Sequence, residues 1–110
     1  MRRVAQLTPQ VDGYEFGEIE IDFRKHSATK TGKPLLLSPR EFEILRYLVQ
    51  RRGQIVTREE LLDNVWGVSR YLFTRTVDNH IAKLRQKIEA APADPEYLIT
   101  VHRIGYKFLG

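Results

Sequence analysis

The sequence predicts an α+β fold in which strands come first, three helices follow and a hairpin closes the chain. Three observations predict it. Apolar and polar residues alternate with a period of two ahead of Ser38. Capping boxes and helical apolar stripes occupy the stretch from Ser38 to Ile88. Two further apolar-rich runs follow Pro95, separated by a short polar joint.

Taken in order, residues 1–12 are polar with a single proline and read as a linker or arm, leaving 13–110 as one domain. Tyr14-Glu15-Phe16 and Ile19-Glu20-Ile21-Asp22-Phe23 alternate as strands do. Lys25 to Gly32 is turn-rich, with Lys30-Thr31-Gly32-Lys33 as a hairpin tip. Leu35-Leu36-Leu37 then supplies a strand that closes a small antiparallel sheet. Ser38-Pro39-Arg40-Glu41 is a capping box with proline at the first helical position. Phe42, Leu45, Leu48 and Val49 follow at helical spacing, and Gly53 stops the helix. Ile55-Val56 reads as an extended link. Thr57-Arg58-Glu59-Glu60 is a second capping box, whose stripe of Leu61, Leu62, Val65 and Trp66 runs to Gly67. Val68 to Phe73 form a loop. In the third helix Val77, Ile81, Leu84 and Ile88 fall within roughly 60° of one another at about 100° per residue. Ala90 to Pro95 break it. Tyr97–Val101 and Tyr106–Leu109 make the final hairpin around His102 to Gly105.

Composition excludes several chemistries. The chain has 110 residues, 42% hydrophobic and 29% charged, as a globular domain does. It has no cysteine, so disulfides, thiolate nucleophiles and cysteine-ligated metals are excluded. No apolar run approaches the ~18 residues of a membrane span. Met-Arg-Arg-Val-Ala-Gln has no apolar segment behind it, so no signal peptide and a cytoplasmic location are expected. His26, His80 and His102 have no partner at metal-ligand spacing. No nucleophile motif or phosphate-binding glycine loop occurs. Neither catalysis nor a cofactor is expected. The net charge of +4 and the pI near 9.6 suit a polyanionic partner.

With its apolar stripe inward, the third helix presents Arg75, Asn79, Ala82, Lys83 and Gln86 outward. Lys87 and His80 flank that set on one side, Arg85 and Asp78 on the other. Cations mixed with amides are the groups that contact phosphates and base edges. A major groove about 12 Å wide admits one such helix. His102-Arg103 in the last hairpin supplies a further basic point.

The motifs together resemble the effector domain of OmpR/PhoB-type response regulators. They are Leu37-Ser38-Pro39-Arg40-Glu41-Phe42-Glu43-Ile44-Leu45, Gly53-Gln54-Ile55-Val56-Thr57-Arg58-Glu59-Glu60-Leu61-Leu62 and Val65-Trp66-Gly67. The run Arg75 to Ile88 resembles that family's recognition helix, and Ile99 to Phe108 its wing. The resemblance covers Tyr14 to Leu109. It implies a winged helix-turn-helix with an N-terminal four-stranded antiparallel sheet, three helices and a C-terminal β-hairpin wing. It implies sequence-specific binding of double-stranded promoter DNA, as the output domain of a two-component regulator controlling transcription. A protein-interaction winged helix is the alternative, as is the DNA-binding domain of a membrane-anchored one-component regulator. The resemblance also implies a receiver domain and sensor kinase in the full-length protein. It implies tandem pairing on DNA of a domain that is monomeric alone.

Within helix-turn-helix docking, Asn79 and Lys83 are expected on base edges. Arg75, Thr76, His80, Arg85 and Lys87 are expected on phosphates, Thr76 equally as a helix cap. His102 and Arg103 are the expected wing contacts. The loop Val68, Ser69, Arg70 and Tyr71 corresponds to the family's RNA polymerase contact. Asp78 is expected to be structural, pairing with Arg75, and Trp66 to belong to the core. Two positions depart from the family. Arg103 replaces a wing glycine, at about 1–2 kcal/mol if the backbone there is left-handed. Ala82 stands where a cation is usual.

Overall fold

A computed structural model of the chain describes residues 13–67 and 74–110. The expected arm, residues 1–12, lies outside the described residues, as do Val68, Ser69, Arg70 and Tyr71 of the expected polymerase-contact loop.

Four strands come first: β1 (Gly13–Phe16), β2 (Ile19–Asp22), β3 (Ser27–Lys30) and β4 (Lys33–Pro34). They form one antiparallel sheet in sequential order. Phe16 pairs with Ile19 and Ile21 with Ala28, so the alternation buries one face of the sheet. The β3–β4 hairpin turns at Thr31 and Gly32, both at positive φ (54° and 78°), the pattern of a two-residue type I′ loop. Two sequence expectations change here. The turn-rich stretch Lys25 to Gly32 contains β3, a strand with only one apolar residue, Ala28. The closing strand is Lys33–Pro34 rather than Leu35–Leu37. The Leu35 amide adds one more bond to Ala28 O at 2.9 Å, and the chain then leaves the sheet with Leu36 83% exposed.

Helix α1 (Pro39–Gln50) opens on Ser38, whose hydroxyl accepts from the Glu41 amide while Glu41 reaches back to the Ser38 amide. Strand β5 (Ile55–Thr57) follows, and Thr57 caps α2 (Arg58–Leu61) in the same reciprocal way. The second helix then widens into a π-helical turn (Leu62–Trp66) and ends at Gly67 with φ +76°. Asn64 Nδ2 donates to Glu60 O at 2.9 Å, competing for the carbonyl that an α-turn would give to the Asn64 amide. Helix α3 (Thr74–Ile88) is the longest. Strands β6 (Leu98–Val101) and β7 (Gly105–Phe108) complete the described fold.

The expected extended link at Ile55-Val56 is a paired strand. The second sheet runs β5-β7-β6, antiparallel throughout, so β5 covers the outer edge of the hairpin. Gly105 permits this, because a side chain there would collide with the backbone of Val56 and Thr57.

One core joins the three helices and both sheets. Ile44, Leu45 and Leu48 of α1, Leu61 and Leu62 from the second helix, and Val77, Ile81 and Leu84 of α3 are essentially buried. Phe16 and Ile19 close the core from one sheet, Leu98 and Phe108 from the other. Phe16 meets Phe108 edge-on with centroids 5.1 Å apart, joining the two sheets.

Candidate nucleic-acid interface

The inward stripe of α3 is as expected: Val77, Ile81 and Leu84 are fully buried and Ile88 nearly so. Arg75, Asn79, Ala82, Lys83 and Gln86 are exposed, so the domain's own body leaves this polar face open. Arg75, Asn79 and Lys83 follow at intervals of four residues and line one stripe about 12 Å long at 1.5 Å per residue. Arg75 and Lys83 carry no ion pair among the described residues. Two unpaired cations thus flank an amide along the stripe.

The flanking residues are more committed. His80 Nδ1 lies 2.9 Å from Thr76 O, and since a carbonyl only accepts, Nδ1 carries the proton. The imidazole meets the Trp66 ring edge-on with centroids 5.2 Å apart. Trp66 is half-buried and also carries the Arg40 guanidinium over its ring at 4.9 Å. Arg85 turns toward the second sheet. Its Nε and Nη2 donate to Leu98 O at 2.9 and 2.7 Å, and Nη2 also to Thr100 Oγ1 at 2.7 Å. Lys87 Nζ donates to Glu41 Oε1 at 2.7 Å. Glu41 is 3% exposed, so this ammonium neutralises a buried carboxylate. Lys30 Nζ reaches Lys87 O at 3.4 Å, near the end of the same helix.

Asp78 is structural, as expected, but its partner is Arg58 of α2 rather than Arg75. Arg58 Nε donates to Asp78 Oδ1 at 2.7 Å, and the Tyr106 hydroxyl donates to the same oxygen at 2.6 Å. The side chain of Asp78 lies beside the α2–β7 seam, which draws it from the exposed stripe. The carboxylate raises the Arg58 pKa above its already high ordinary value. Burial first, and the bond to Asp78 second, push the Tyr106 phenol up to about 12.

In the wing turn, His102, Arg103 and Ile104 are exposed, and the Ile104 amide closes the turn on Val101 O at 2.9 Å. Arg103 has φ 63°, so the turn keeps the left-handed residue that a glycine would supply. An arginine holds this conformation at the turn's tip, with its side chain in solvent.

Sequence reasoning passed over one buried acid. Glu89, 3% exposed, follows α3 and accepts from the amides of Glu96 (2.6 Å), Tyr97 (3.0 Å) and Leu98 (2.8 Å). A carboxylate at a helix C-terminus opposes the helix dipole. That conflict was the available signal that Glu89 had a partner elsewhere.

No helix among the described residues is long and apolar enough to cross a membrane. None of their His, Asp and Glu side chains group as a metal site would.

Comparison with known proteins agrees with this geometry. The chain is 41% identical over 96 residues to the sensory transduction protein RegX3 of Mycolicibacterium smegmatis, a match covering 87% of this chain and 42% of that protein. The chain thus spans about two-fifths of the length of this curated relative. The solved structure of DrrB, a Thermotoga maritima OmpR/PhoB homolog and response regulator, superposes with a TM-score of 0.81 at 37% identity. That match covers 90% of this chain and 45% of DrrB. The DNA-binding domain of Klebsiella pneumoniae RstA, solved in complex with the RstA box, superposes with a TM-score of 0.79 at 33% identity. It covers 90% of this chain and 98% of that domain. The fold is therefore the expected winged helix-turn-helix. Residues 32–108 match the family model described as transcriptional regulatory protein, C terminal, and the chain belongs to that family.

Proposed function

We propose that this chain is the DNA-binding output domain of a two-component response regulator, recognising specific double-stranded sites to control transcription. The observation that carries this is the open stripe of Arg75, Asn79 and Lys83 on a helix anchored from behind by Val77, Ile81, Leu84 and Ile88. Such a helix fits the major groove. Asn79 is suited to adenine and Lys83 to guanine. Arg75 and Thr76, near the start of α3, take phosphates in this reading. His80 joins them through its Nε2 edge, since Nδ1 is engaged with Thr76. His102 and Arg103 of the wing meet the flanking backbone or minor groove. Arg85 and Lys87, cations of the same helix, act first on the protein itself, through Leu98 and Glu41.

The same reading assigns binding rather than catalysis to the chain and places it in the cytoplasm, where promoter DNA is. In the full-length protein, a receiver domain answering to a sensor kinase controls this output domain. The loop Val68, Ser69, Arg70 and Tyr71 is the segment proposed to touch RNA polymerase. Two copies occupy repeated half-sites in tandem, while the isolated domain is monomeric.

Selection of duplexes from a random library, followed by a salt titration of the enriched site, tests the reading. A shared motif and steeply salt-dependent binding support it. Failure to enrich any duplex, with binding indifferent to salt, rejects it in favour of a protein-docking winged helix.

A further inference from the structure

Tyr106 lies on wing strand β7 and is only 4% exposed, yet it carries a hydroxyl. That hydroxyl donates to Asp78 of α3, whose Oδ1 also accepts from Arg58 of α2. Two guanidinium groups lie over the Tyr106 ring, Arg58 at 5.9 Å and Arg85 at 5.5 Å. Arg85 is itself held by Leu98 O and Thr100 Oγ1 on β6. Polar contacts from α2 and α3 thus converge on the Tyr106 side chain of β7, and Arg85 links the group to β6. Asp78 and Arg85 both leave α3, yet neither belongs to its exposed stripe. Strand β5 and the core contacts of Leu98 and Phe108 hold the base of the hairpin, and the polar bonds add ties to α2 and α3 close to the turn.

We propose that Tyr106, Asp78 and Arg85 are positioning residues that fix the wing turn relative to the exposed stripe of α3, so that Arg103 and Lys83 engage one duplex together. The inference rests on the DNA-binding reading and assigns three residues a task within it. Groups already held in their bound arrangement lose little freedom on association, so the full contact energy of the wing is realised. Loosening the fastening leaves the helix contact intact, because the apolar stripe holds α3. The wing then has to be ordered at the moment of binding, and its contribution shrinks.

Tyr106→Phe keeps the ring and deletes the hydroxyl. Arg85→Lys keeps the charge and deletes the fork to Leu98 and Thr100. The probe is a duplex enriched by the unaltered domain from a random library, with affinity read by fluorescence anisotropy. The loss on Arg103→Ala and the loss on Lys83→Ala are each measured in the unaltered, Tyr106→Phe and Arg85→Lys backgrounds. The factor lost on Arg103→Ala falls about threefold or more in both altered backgrounds, while the factor for Lys83→Ala stays constant. A role confined to fold stability moves neither factor once unfolding is checked at the assay temperature. Should Tyr106→Phe not fold there, Arg85→Lys decides. Equal Arg103→Ala losses in all backgrounds, or no such loss in the unaltered domain, overturn the inference alone. An unaltered domain that enriches no duplex overturns the DNA-binding reading itself.

Discussion

Asn79 faces solvent in the middle of α3 between two cations, Arg75 and Lys83, that carry no ion pair among the described residues, and its role is specific to one base pair in the proposed function. Asn79→Ala relaxes base preference at a single position and weakens the preferred site by roughly 1–3 kcal/mol. Affinities for duplexes varied one position at a time check this. Lys87 belongs to a different class of cation. The sequence placed it beside the exposed face, but its ammonium neutralises Glu41, whose side chain is 3% exposed against 35% for Lys87. Lys87→Ala strands that carboxylate and lowers stability by roughly 2–4 kcal/mol, somewhat less than for a fully buried pair. Denaturant unfolding measures the loss, and the salt dependence of DNA binding is unchanged by it. At the wing tip, Arg103 holds φ 63° without being a glycine. Arg103→Gly raises stability by up to about 1 kcal/mol while weakening DNA binding, a split visible when melting and binding are measured on the same preparation. Composition shows how many cations exist; which are free depends on contacts between residues far apart in sequence, such as Lys87 with Glu41.

At the scale of elements, legibility followed the strength of the local signal. The capping boxes at Ser38 and Thr57 formed as their residue types require. The stripe of α3 was readable because four apolar residues repeat at helical spacing over a long helix. Strand β3 was hidden because Ser27, Thr29 and Lys30 carry no apolar signal, and its existence comes from pairing with β2. Strand β5 was too short for periodicity and is defined by β7. The π-helical turn accompanies an Asn64 side-chain bond to Glu60 O, which no apolar pattern encodes. The anchoring of α3 is therefore the element-scale property most open to test. Leu84→Ala removes a fully buried side chain and destabilises the domain by roughly 2–5 kcal/mol, as chemical denaturation should show.

Across the whole molecule, two phenols tie elements together: Tyr106 of β7 donates to Asp78 of α3, and Tyr47 of α1 donates to Glu60 of α2. Tyr106 is pushed up to about 12, chiefly by burial, and Tyr47 likewise to about 12, by burial and then by its bond to Glu60. An unfolded phenol ionises near 10. The stabilisation from these neutral hydroxyls is therefore complete below about pH 10 and lost as pH rises through about 12. Unfolding followed across that range should show falling stability, with a shallower fall in Tyr106→Phe. The overall fold was legible because strands, caps and stripes all pointed to one arrangement. The polar junction of Arg58, Asp78, Tyr106 and Arg85 was not, because its members come from separate segments brought together only by folding. The central claim is that the open side of α3 meets duplex DNA. Amide chemical-shift mapping during titration with a selected duplex tests it most directly. The largest changes should fall on Arg75, Asn79, Lys83 and the wing turn from His102 to Ile104. Changes concentrated on the β1–β4 sheet, with α3 unmoved, would contradict it.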